Sequence, residues 1–141
     1  MKRSANMLAF ILAALPVPAS SDQNDELVQS LKEMHIKIYE DGRASFCKQY
    51  SGFVGPLHDF RYQGKPIENF IQWAEKTGAG EKDTVGMKEY RLAMVMAAYS
   101  APRMSTQESI AVQRQELLTE FYIRCWENFS EISEMPDPGK N

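Results

Sequence analysis

Apolar side chains recur at three- and four-residue spacings along most of this chain, and the elements they predict are helices. Leu27, Leu31, Met34 and Ile38 stand at steps of four, three and four, so they share one stripe of an amphipathic helix over residues 26–39. Asp41-Gly42 predicts a break or a loosening after it. From Arg43, the positions Cys47, Tyr50, Val54 and Leu57, with the aliphatic stem of Arg61, keep helical register as far as Tyr62, and Gly64 supplies a terminator. Gly55-Pro56 lies inside this second helix, where proline removes a donor and crowds the preceding turn, so a kink or a split is expected.

Lys65-Pro66 opens a short third helix with Glu68 near its start and Ile67, Phe70, Ile71 and Ala74 as its apolar stripe. Residues 77–86 contain three glycines among polar residues and read as the longest loop. The next helix, 87–99, has no polar face from Leu92 onward, the pattern of a central element. Alanine and methionine favour helix there, and only Val95 is β-branched. After Ala101-Pro102, Ser105-Thr106-Gln107-Glu108 has the form of a capping box with Ser105 as cap. Ile110, Arg114, Leu117, Leu118, Phe121, Cys125 and Phe129 then hold helical register for more than five turns. No strand pattern occurs, and the expected fold class is all-α, a small bundle of four to five helices over residues 20–133, with a disordered tail at 134–141.

The first nineteen residues change the picture of where the chain works. Lys2 and Arg3 precede an apolar run from Met7 to Leu15 and a small-residue site at Val17-Pro18-Ala19, the anatomy of a signal peptide cut after Ala19. The run is too short for a membrane anchor, which takes about twenty residues, so no membrane insertion is expected after cleavage. Removing 19 of 141 residues leaves 122, enough for one core, and moves the formal charge from −3 to −5. A mildly acidic chain without a lysine or arginine cluster has little with which to neutralise phosphates, which argues against nucleic acid as a partner.

Export also bears on the two cysteines. Cys47 and Cys125 both lie on apolar stripes of predicted helices, and pairing is the default for two cysteines in an oxidising compartment; in a reducing one they stay buried thiols. The bridge would stabilise by about 4–5 kcal/mol for so long a loop. A catalytic pair of Cys47 with His58 fails on distance, since eleven helical residues rise roughly 16 Å. Two cysteines and two histidines at scattered spacings predict no metal site. His58, followed by Asp59, reads as a solvated helix edge, and the glutamates as polar helix faces. Met87, Met94, Met96 and Met104 with Tyr90, Tyr99, Trp73, Trp126 and Phe129 read as core more than interface, although Tyr122 and Trp126 flank Cys125 so that one of them should be exposed or covered by the first helix.

The run from Cys47 through Arg61-Tyr62-Gln63-Gly64, Ala98-Tyr99-Ser100-Ala101-Pro102 and Ser105-Thr106-Gln107-Glu108 to Phe121-x-x-x-Cys125 resembles a group of small exported proteobacterial helical proteins of unassigned function. The resemblance spans about eighty residues in short pieces. It implies a periplasmic or secreted helical fold with a disulfide, and no activity. No catalytic constellation converges, so the expectation is a non-enzymatic protein-interaction module of inhibitor or immunity type, without a cofactor. A carrier of a small apolar ligand between helices and a small enzyme are the alternatives. The partner-binding residues expected are Lys82 and Asp83 in the long loop and Tyr99, Arg103 and Met104 at the turn before the last helix, because loops between rigid helices carry function.

Overall fold

The computed structural model describes residues 21–76 and 84–139. Six helices follow one another: α1 (Ser21–Ser51), α2 (Val54–Tyr62), α3 (Glu68–Glu75), α4 (Val85–Ser100), α5 (Gln107–Glu127) and the short α6 (Phe129–Ser133). No strand occurs among the described residues, and the fold is an all-α bundle of five helices closed by a single turn, α6. The signal-peptide segment and the loop residues Lys82 and Asp83 lie outside the described residues.

The first helix boundary differs from the expected one. α1 passes through Asp41-Gly42 unbroken. Nothing lies within 4 Å of a Cβ built on Gly42, so no neighbour forces a turn, and one helical glycine costs only about 1 kcal/mol against the hydrogen bonds on either side. The chain turns instead at Gly52-Phe53, where the Phe53 N–H reaches back three residues to the Tyr50 carbonyl at 3.2 Å. Gly55-Pro56 therefore sits in the first turn of α2, where a missing N–H leaves no bond unmade, and the second predicted helix is split rather than kinked. Gly64 ends α2 as expected, with φ +76°, the Gly64 N–H on Arg61 and the Lys65 N–H on Phe60 closing the turn.

α4 is the centre of the bundle, packing against α2, α3, α5 and α6. It buries Met87, Tyr90, Met94, Val95 and Ala98. It also buries Arg91, whose guanidinium donates to the Ala74 carbonyl at 3.0 and 3.2 Å and so holds the end of α3. Thr84 caps α4 by accepting from the Met87 N–H, and its own hydroxyl donates to the Ile132 carbonyl at 2.6 Å. Gly86 is required there, because a Cβ would stand 2.4 Å from the Glu131 carbonyl oxygen of α6. The cap of α5 falls one residue later than expected: the Thr106 hydroxyl accepts from the Ser109 N–H, and Ser109, short enough to fold back, accepts from the Thr106 N–H.

Cys47 and Cys125 form a disulfide, with Cα atoms 5.5 Å apart and both residues wholly buried. It joins the C-terminal half of α1 to the last turns of α5. Around it, Phe46 and Tyr39 set their rings edge-on to Phe129 at 5.3 and 5.4 Å. Arg43 lies 4.2 Å over the Trp126 ring and donates to the Trp126 carbonyl, so α1 does cover this tryptophan. The expected stripe of Leu27, Leu31, Met34 and Ile38 meets a different fate: no residue from 24 to 38 is even partly buried, and these four stand 51–64% exposed. The first eighteen residues of α1, about 27 Å of helix, project from the body.

Candidate functional site

Two features of α2 carry the chemistry of the molecule, one on each side of the helix. Phe53, Pro56, Leu57 and Phe60 line a groove of about 300 Å³, whose opposite wall is Asn69, Phe70 and Trp73 on α3. The amphipathic spacing of α3 is satisfied only in part by the core, since of its residues Ala74 alone is fully buried. Its aromatic rings meet those of α2 instead: Phe60 stacks on Phe70 at 5.2 Å and Phe53 approaches Trp73 at 5.7 Å. Phe53 stays 40% exposed, so the wall is open to solvent. Asn69 is the single polar side chain among the lining residues.

One ring of this groove carries a cation on its face. The Lys65 ammonium lies 4.3 Å over the Phe60 ring, and the Arg61 guanidinium donates to the Ala98 carbonyl at 3.2 Å. Arg103 reaches the Arg61 carbonyl at 3.5 Å. Tyr99 packs its ring 5.8 Å from Phe70 and donates its hydroxyl to the Lys65 carbonyl at 2.9 Å. Burial raises the Tyr99 phenol, an effect that Arg61 opposes and Glu68 reinforces. Of the residues expected to bind a partner, Tyr99 meets the lining residue Phe70 and Arg103 approaches the Arg61 carbonyl, and neither lines the groove itself. Met104 is half-buried beside them, its N–H bonded to the Tyr62 hydroxyl at 2.9 Å.

The other side of α2 faces α5 and holds His58, which is wholly buried and not the solvated residue expected. Helical periodicity misassigned it because its neighbour on α5, Gln113, is 55 positions away and equally polar. The Gln113 side-chain N–H donates to the Pro102 carbonyl at 2.9 Å, which turns its oxygen toward His58 Nε2 at 2.9 Å and the Tyr62 hydroxyl at 3.3 Å. A carbonyl oxygen only accepts, so Nε2 donates to it. Nδ1 has no hydrogen-bond partner; the nearest carboxylate, Asp59, stands 3.6 Å away. Asp59 is held instead by Arg114 Nε, 3.1 Å from both carboxylate oxygens. Gly55 makes room for that arginine, whose guanidinium lies 2.7 Å from where a Cβ would sit. The network ties α2, α5 and the turn before α5 together, with His58 and Gln113 buried and the Asp59–Arg114 pair part-exposed at its edge.

Among the described residues, no group of three or more His, Cys, Asp or Glu side chains gathers in a way that could hold a metal, and no helix is long and apolar enough to cross a membrane. No known protein family, curated protein or solved structure matches the chain.

Proposed function

We propose that this protein is exported to the periplasm or the cell exterior and works there by binding another protein, as inhibitor or immunity-type modules do, rather than by catalysis. The signal-like N-terminus and the paired cysteines support the compartment. The groove between α2 and α3 carries the binding role: four aromatic rings, Phe53, Phe60, Phe70 and Trp73, line it with a proline, and the Lys65 ammonium lies over the Phe60 ring. That chemistry suits a partner segment that lays an apolar or aromatic side chain in the groove and sets a carboxylate against the Lys65 ammonium.

Capture from an envelope extract with the protein as bait tests this. A protein retained by the native bait and lost on Phe53→Asp or Lys65→Glu is the expected result. A captured set unchanged by both substitutions overturns it. The groove volume also admits a small apolar ligand, the second reading. Native mass spectrometry of freshly purified protein decides between them, since a carrier retains a bound apolar mass and a protein-binding groove does not.

A further inference from the structure

We infer that the cavity between α4, α5 and α6 binds a free amino acid with a cationic side chain, of the lysine or ornithine class. The inference stands apart from the groove between α2 and α3 and needs nothing from it. The cavity holds about 420 Å³, and its walls are charged where those of the groove are apolar. Glu89 lines it from α4, Arg124 from α5 and Glu131 from α6, all three exposed. Among the described residues, no ion pair or hydrogen bond joins these side chains to one another or to any other group. Three charges of both signs thus share one concavity and are left unneutralised by the chain itself.

The frame that carries the charges is fixed. Gly86, Glu89, Tyr90 and Ala93 form one stripe along two turns of α4, about 10 Å of helix. The Thr84 hydroxyl fastens the start of that helix to the Ile132 carbonyl at 2.6 Å, and Gly86 lets the Glu131 backbone close against it. Where α5 passes into α6, Asn128 donates its side-chain N–H to the Arg124 carbonyl at 2.8 Å. That bond sets the orientation of the amide and leaves its oxygen as an acceptor on the cavity wall. The floor is apolar: Ala93, Ile132 and the ring of Tyr90, whose hydroxyl is spent on the Phe121 carbonyl.

These groups sort the ligands. One guanidinium and two carboxylates are complemented by a molecule with one anionic and two cationic groups, which is the charge pattern of a basic amino acid. Its carboxylate pairs with the Arg124 fork, its two cationic groups pair with Glu89 and Glu131, and the Asn128 oxygen accepts from one of them. The aliphatic stem between them covers the apolar floor. A diamine leaves Arg124 unpaired, and an acidic amino acid sets a second carboxylate against the two glutamates. Because the charged side chains are exposed, each pair contributes modestly, and the affinity is in the range of about 1 mM.

Titration of the isotope-labelled protein with L-lysine at low ionic strength, followed by amide chemical shifts, tests it, with circular dichroism to confirm that each variant is folded. The expected result is a saturable shift centred on Gly86, Glu89 and Asn128, with a dissociation constant that rises about fivefold in Arg124→Gln and in Glu131→Gln. L-glutamate should produce no saturable shift, and cadaverine, which lacks the carboxylate, should bind about fivefold more weakly than L-lysine. No saturation by L-lysine overturns the inference. So does binding that Arg124→Gln leaves unchanged or that cadaverine matches, since either would mean that the glutamates merely attract cations.

Discussion

Within the single helix α1, the residues before Tyr39 and those after it are equally helical and equally rich in apolar side chains, yet one half is bare and the other is bonded and packed to the body. The difference lies in what each half carries. The packed half has rings and a thiol: Tyr39 and Phe46 reach Phe129, Phe46 lies against Tyr50 at 4.3 Å, and Cys47 is bonded to α5. The projecting half has aliphatic side chains whose stripe points about a third of a turn away from the body. Amphipathic spacing records that a face is apolar; its angle relative to neighbouring contacts decides whether the same molecule can bury it.

The largest blow to this contrast is removal of the disulfide. Replacing both cysteines with alanine is expected to lower stability by about 4 kcal/mol in urea unfolding, and hydrogen exchange in residues 43–51 should accelerate toward that of 24–38. Exchange that stays slow there would mean that the aromatic packing suffices. Next, two truncations on the same helix should differ sharply. Phe46→Ala should cost about 2–3 kcal/mol, while Leu31→Ala, read at concentrations below any self-association, should cost less than about 0.5 kcal/mol. Equal costs would erase the distinction between the halves.

The smallest effect concerns the wall against which the packed half lies. Tyr90 on α4 donates its hydroxyl to the Phe121 carbonyl of α5 at 2.6 Å, and burial raises its phenol well above the ordinary range. The unfolded chain releases this proton near pH 10, whereas the folded one keeps it. Stability from Tyr90 is therefore whole below about pH 10 and falls above it, by at most about 1.4 kcal/mol per pH unit. Tyr90→Phe should flatten that alkaline decline in urea melts taken from pH 8 to 11; an unchanged slope would place the titrating group elsewhere.

Much of the bundle is legible in the residues themselves. The apolar run on α4 marks a central helix, Gly64 marks the end of α2, and two cysteines on apolar stripes mark the bridge between α1 and α5. The same reading fails where a long-range partner overrides a local signal. Asp41-Gly42 has the composition of a turn, but nothing packs there to bend the helix. His58 has the spacing of a surface residue, but Gln113 supplies a polar site for it inside the bundle. The groove is only half visible: Phe70 and Trp73 appear in the sequence as ordinary core positions, and only the meeting of α2 with α3 shows that they line an open wall with Phe53 and Phe60. Tyr99 meets Phe70 of that wall and bonds the Lys65 carbonyl, a proximity that spacing along the chain does not encode.

The bridge between Cys47 and Cys125 also decides how the molecule behaves under tension. A pull on the start of α1 travels along the helix to Cys47 and passes through a covalent bond straight into α5, bypassing α2, α3 and α4. The stretch between the two cysteines, which spans 78 positions of sequence, cannot lengthen until that bond is reduced. The groove and the buried histidine lie wholly within that shielded loop, so their geometry is insulated from whatever load the projecting helix bears.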